Sequence, residues 1–372
     1  MFYIGFFKVL LYNKQQGGFM VLKIDENRVL DEIESLLEKR EGISSLTGYY
    51  YSTMDICNLL YIYKELTGES LYAKMNGNPK FRDYMRKYMG MIDTNAYFYF
   101  LDQEVHTNLA KSVLDIFEKN NFMYYGRRDL NKLKEKEFFE IERDFLGTYD
   151  DRFLKLFDES VRNGLIDMRG KNKGTATTYM RMTSNRHYVL LPEGYNIEGL
   201  VILSHELAHL HSHVVLDTSS KKQLNETMRT YYEAYSHYME QCLFDYLKKN
   251  HVYLSDTAID ENNYYAWMYD FFDELYRCKD FESDERDYDV LSMIGEGYQY
   301  GYGMLLGVLL NERYRESPIE TKKDIDNYLF NCGLFDKEQE LEILGLNKED
   351  LENPKVLSKR LQKHDEFYRK YN

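Results

Sequence analysis

Basic residues are in deficit in this sequence: 48 Lys and Arg stand against 62 Asp and Glu, for a formal net charge of −14. A nucleic-acid binder needs a basic face and a protein drawn to anionic lipid needs a basic patch, so neither partner is expected. Cysteine is scarce as well. Its four copies, Cys57, Cys242, Cys278 and Cys332, are scattered with no CxxC pair. That spacing excludes a disulfide framework and a zinc knuckle, and points to free thiols in a reducing, cytoplasmic setting. Only 4 prolines and 22 glycines interrupt 372 residues, so few places force a helix to stop. Long hydrophobic runs are missing too. The most apolar stretch, MFYIGFFKVLLY at 1–12, contains Lys8 and is too short to span a bilayer. It lacks the basic start and small-residue cleavage site of a signal peptide. Gly17-Gly18 lies just before Met20, and two glycine codons read as a purine-rich ribosome-binding sequence. Residues 1–19 are therefore read as an over-extended start.

What is present suits a helical protein. Hydrophobic residues make up 44% of the chain, enough for a sizeable core. Apolar residues recur at helical spacing over 24–40, 53–67, 80–91, 95–120 and 129–163, which defines an N-terminal helical region at 20–150. The texture changes at 166–191, where glycines, threonines and a β-prone end predict a small sheet of two or three strands. Helical spacing then resumes over 196–214, 222–249, 261–277 and 288–313, followed by short helices around Gly333 and Gly345. The expected fold is mainly α, with the small sheet beside the chemically informative helix of a second region, 151–372.

That helix contains HExxH: His205, Glu206, Leu207, Ala208 and His209. Residues four apart stack on one helix face, so both imidazoles aim at one point, with Glu206 beside them. This is the spacing that holds a zinc ion and offers a general base to the water it activates. In a chain of this composition chance supplies roughly 0.03–0.04 such patterns, and the apolar run GLVIL before it contains no helix breaker after its opening glycine. A catalytic zinc also needs a third protein ligand. Val215 and Ser212 stand where a histidine and a glycine would follow in one common arrangement. His211 points off the ligand face, and His213 is two turns from His205, roughly 12 Å along the axis, so both are expected at the surface or behind the ligands. Glu233, on a helix that can return antiparallel, is the better candidate. It shares a face with His237 and Glu240, and a buried acid pair next to a histidine is costly without a cation. The alternative for these acids is a solvated pair on a helix surface.

HELAH at 205–209 and EAYSHYME at 233–240, in which Glu233, Ser236 and Glu240 fall at the spacing E-x-x-S-x-x-x-E, resemble the thimet oligopeptidase and oligoendopeptidase F family of zinc metallopeptidases. IDMRGKNKGTATTY, YVLLPEG, GYQYGYG at 297–303 and ILGLNKEDLENP are similar to further family segments, so the resemblance covers roughly 150–360. It implies a helical fold with a deep substrate cleft, one zinc ion on His205, His209 and Glu233, and cleavage of short peptides with Glu206 as base. It implies His237 and Glu240 behind the ligands, substrate pairing with an edge strand around Gly174, Thr175 and Ala176, and oxyanion donors among Tyr298, Tyr300 and Tyr302. Three tyrosines at alternating helix positions cannot all face one ion. The chain departs from the family at Ala208 and Ser212, and it has no histidine between His251 and His364. Two other activities fit the same motifs: a regulatory peptidase that cuts one protein partner, and a weakly catalytic peptide-binding module.

Overall fold

A computed structural model describes residues 23–40, 42, 46–71, 107–122, 132–170, 177–180, 187–192, 194–218, 228–250, 258–281, 288–331 and 337–369. The expected helices at 80–91 and over the start of 95–120, the candidate start segment 1–19, and Gly174, Thr175 and Ala176 lie outside the described residues.

The chain is mainly helical. Helix α1 (Glu26–Arg40) begins where the Asp25 carboxylate accepts from the Asn27 amide at 3.0 Å, a side-chain cap on an otherwise unsatisfied helix end. Its buried Val29, Ile33 and Leu36 recur at helical spacing and pack on α2 (Leu46–Thr67). Helices α3 (Thr107–Asn120), α4 (Glu135–Tyr149) and α5 (Asp151–Arg162) follow. The sequence reads 129–163 as one stretch, but the backbone breaks at Asp150, which is extended (φ −160°, ψ 126°) and accepts from the Arg152 amide. An aspartate stabilises a helix start better than a helix interior, and it splits this stretch in two.

A three-stranded sheet comes next among the described residues, in the order β1-β3-β2. Its strands are β1 (Ile166–Gly170), β2 (Thr177–Met180) and β3 (His187–Pro192). β1 runs parallel to β3, and β2 runs antiparallel to it, with Thr178 opposite Val189. Strand residues alternate faces, and β3 uses both. Val189 and Leu191 enter the main core, which spans α3 to the C-terminal helices. Tyr188 and Leu190 enter a smaller core with α1 and α2. Burial on both faces explains why HYVLLP is continuously apolar rather than alternating.

Helix α6 (Ile197–Thr218) starts on Asn196, whose side chain accepts from the Gly199 amide at 2.7 Å. It packs against β2, β3 and the antiparallel α7 (Met228–Asn250). After α8 (Ala258–Arg277), helix α9 (Tyr288–Glu296) runs into one π turn, Gly297–Gly301, and then α10 (Tyr302–Glu316). The reading of 288–313 as a single regular helix misses that turn. A π turn adds a residue to the hydrogen-bonded ring and so rotates the side chains of α9 against those of α10. Helix α10 lies along α7, and α11 (Pro318–Asn331), α12 (Lys337–Ile343), α13 (Lys348–Glu352) and α14 (Pro354–Arg369) complete the core. No described helix is long and apolar enough to cross a membrane.

Candidate metal centre

Leu200, Leu203, Leu207 and Leu210 bury α6 in the main core, and a helix so fixed leaves its remaining stripe rigid as well. On that stripe His205 Nε2 and His209 Nε2 lie 3.0 Å apart. From α7, Glu233 Oε2 comes within 3.1 Å of the first and 3.2 Å of the second. Although it is this close to both, Glu233 Oε2 is buried and in hydrogen-bond geometry with no described group. With each histidine's proton on Nδ1, toward Glu240 or Ser236, three acceptor atoms are crowded together, a state of high energy unless a cation or proton lies among them.

The spacing fits a small divalent ion. A point equidistant from the three atoms is about 1.8 Å from each, so the spacing would admit bonds of about 2.0–2.2 Å to one ion. Two imidazoles and one carboxylate are also the donor set that borderline ions such as zinc take. A wider trio exists: ligand atoms of His205, Glu233 and His237 lie within 4.8 Å of one another. The tighter trio is the better match to a tetrahedral site, whose ligand atoms stand about 3.3 Å apart.

The surrounding groups orient these donors. Glu240 accepts at both oxygens, from His205 Nδ1 at 2.7 Å and from His237 Nδ1 at 2.9 Å. Ser236 Oγ is 3.1 Å from His209 Nδ1. With Nδ1–H turned outward on each ligand histidine, both Nε2 lone pairs face inward. The electrostatics agree with a site built for positive charge. Burial disfavours a charged His205, yet the Glu233 and Glu240 carboxylates outweigh it and hold the imidazole well above the usual histidine range. Burial would raise Glu233, but His209 and His205 hold it well below the usual carboxylate range. Glu240 is drawn down to about 2 against its burial, by His237 and His205. Behind α6, Ser204 donates to Glu142 of α4 at 2.8 Å, and burial pushes that carboxyl up to about 8.

The other sequence candidates fall differently. Glu206 is buried on α6, next to His205 in sequence. Tyr298 and Tyr302 are buried and stacked on each other, with ring centroids 5.1 Å apart, and Tyr302 also packs on Phe272. Tyr300 alone of the three is open to solvent, at 36% exposure, and it stacks on Phe271. Its hydroxyl is pushed up to about 12, first by burial and then by the Glu233 and Glu206 carboxylates, so it lies within electrostatic reach of both. Tyr298 and Tyr302, four residues apart, share the core face, and Tyr300 between them faces solvent. His211 is not at the surface: it is buried, stacks on Phe153 at 4.6 Å and lies 2.9 Å from the Tyr235 hydroxyl. Phe153 of α5 and Tyr235 of α7 absorb it. Ser236 had a signal in its family pattern but no role; Ser204 and Glu142 had no sequence signal.

If Glu240 orients two imidazoles, Glu240→Gln sets an amide NH2 against one of two N–H donors. Zinc affinity, measured by competition with a chromogenic chelator, is then expected to fall roughly 10–100-fold. Unchanged affinity would remove Glu240 from the centre's support.

No family model matches the chain, and no curated protein matches it. Solved structures do. A Bacillus anthracis str. Ames protein provisionally named oligoendopeptidase F is 13% identical, with a TM-score of 0.51, over 90% of this chain and 76% of its own. A second structure of that provisional name is 10% identical, also with a TM-score of 0.51, over 92% and 69%. A provisionally named peptidase from Chlamydophila abortus is 14% identical with a TM-score of 0.45, over 91% of this chain. The chain spans 63% of that protein's length. At such identities the likeness to the two oligoendopeptidase F structures is one of fold.

Proposed function

We propose that this chain is a zinc-dependent metallopeptidase that hydrolyses peptide bonds of short peptides, with the ion held by His205, His209 and Glu233. The observation that carries the reading is the mutual spacing of 3.0, 3.1 and 3.2 Å among three largely shielded donor atoms from two helices. The fold shared with proteins named oligoendopeptidase F supports it. A zinc ion bound there supplies Lewis acidity, polarising the scissile carbonyl and lowering the pKa of a coordinated water. Glu206 accepts the proton of the attacking water on its carboxylate and delivers it to the leaving amine nitrogen. Tyr300 donates its hydroxyl proton in a hydrogen bond to the oxyanion. Glu240 and Ser236 keep the ligand imidazoles turned toward the ion. The outer strand β2, with the Gly174, Thr175 and Ala176 segment that precedes it, offers backbone groups to an extended substrate. The buried cysteines Cys57, Cys242 and Cys278, in no disulfide among the described residues, suit the reducing cytoplasm.

Metal removal tests the reading. Protein stripped with a chelator and dialysed is expected to lose hydrolysis of a mixed fluorogenic peptide library and to regain it with one equivalent of zinc. Its thermal transition is expected to fall on stripping, because an ion that binds only the folded state stabilises it. A stripped, metal-free protein that cleaves peptides at the original rate would exclude the metal from the reaction.

A further inference from the structure

Helices α7 and α10 approach each other so closely that α10 carries no side chain at two of the contact points. Gly303 and Gly307 are four residues apart and therefore share a face. A Cβ on Gly303 would lie 2.6 Å from Glu233 Cβ, 3.2 Å from the Glu233 carbonyl carbon and 3.2 Å from His237 Cδ2. A Cβ on Gly307 would lie 2.8 Å from the carbonyl carbon and Cβ of His237 and 2.9 Å from the Tyr238 nitrogen. Apart from His237 Cδ2, these obstacles are backbone and Cβ atoms, which cannot swing aside as a side-chain tip can. In the sequence Gly303 closes the tyrosine-rich GYQYGYG segment inside the helical stretch 288–313, where nothing marks it as a contact. In the structure it is the floor beneath Glu233.

We propose that Gly303 is a positioning residue for the metal centre: its bare backbone sets how far Glu233 stands from His205 and His209. The proposal rests on the metal reading above and goes beyond it. Two independent observations meet here. One is the approach of Gly303 to Glu233 Cβ. The other is the buried Glu233 Oε2, in hydrogen-bond geometry with no described group yet within 3.2 Å of both imidazoles. Opening the Gly303 contact to ordinary van der Waals distance takes roughly 0.8 Å, whereas metal–ligand bonds hold within about 0.2 Å. The shift is transmitted to the carboxylate because both flanking helices are packed into the core and have little room to absorb it.

The test compares Gly303→Ala with Gly345→Ala, measuring zinc affinity and thermal transition for each. Gly345 has a positive φ of 68°, and a Cβ there meets the Arg313 guanidinium, so Gly345→Ala loses stability away from Glu233. Gly303→Ala is expected to bind zinc roughly 10–100-fold more weakly than wild type, whereas Gly345→Ala keeps wild-type affinity despite its lower transition. Equal zinc affinity in Gly303→Ala and wild type would overturn the proposal alone. So would losses of affinity that simply follow the loss of stability in both variants. A wild-type protein that takes up no zinc would overturn the metal reading and this proposal together. If Gly303→Ala is too unstable to load, the pair Gly303→Ala with Glu233→Gly decides. Removing the Glu233 Cβ relieves the contact, so the double variant is expected to melt above Gly303→Ala. A transition no higher than that of Gly303→Ala would overturn the proposal.

Discussion

Glu206→Gln is expected to lower peptide hydrolysis roughly 10²–10⁴-fold while leaving one zinc per chain. The substitution keeps the shape of a buried side chain on α6 and leaves His205, His209 and Glu233 untouched. It removes only the capacity to accept and return a proton. Turnover and metal content must therefore separate: kcat falls and zinc remains. Measuring kcat and zinc content on one preparation checks this. A variant that cleaves at the wild-type rate would take the base role from Glu206. One that loses zinc along with activity would make Glu206 a structural part of the centre.

The second large effect concerns the tyrosines. Tyr300→Phe is expected to reduce kcat roughly 10²–10³-fold, with KM changed much less, because an oxyanion donor acts mainly in the transition state. Tyr298→Phe is the matched comparison. Its ring is buried against Tyr302, so loss of its hydroxyl is expected to show in thermal stability far more than in kcat. The opposite ranking would mean that a buried hydroxyl meets the substrate and that the solvent-facing one does not. The contrast rests on burial, since Tyr298 and Tyr302 share the core face and Tyr300 lies on the other.

The legible and illegible parts of this molecule divide by distance along the chain. HExxH is readable because both imidazoles ride one helix, and the geometry of that helix alone brings them together. Glu233 is harder, since its approach depends on how α7 returns along α6; the spacing of Glu233, Ser236 and Glu240 signals it only as a pattern. The small sheet is marked by composition, yet its order, with β3 central, results from two cores meeting on that strand. The break at Asp150 has a local cause, the preference of aspartate for a helix start, and periodicity alone runs over it. Gly303 has no local signal at all. A glycine within a helical stretch does not announce its neighbour, and only the packing of α10 on α7 turns it into a contact with Glu233 Cβ. His211 shows the same limit from the other side: a polar residue near a metal motif that the fold buries against Phe153.

Anomalous diffraction at the zinc edge, from crystals of the zinc-loaded full chain, examines the convergence of α6 and α7 on one ion without relying on activity. The expected result is a single strong peak about 2.0–2.2 Å from His205 Nε2, His209 Nε2 and a Glu233 oxygen, with a further position left to solvent. A peak held instead by His237 and Glu240, or no peak within bonding reach of the three, would contradict it.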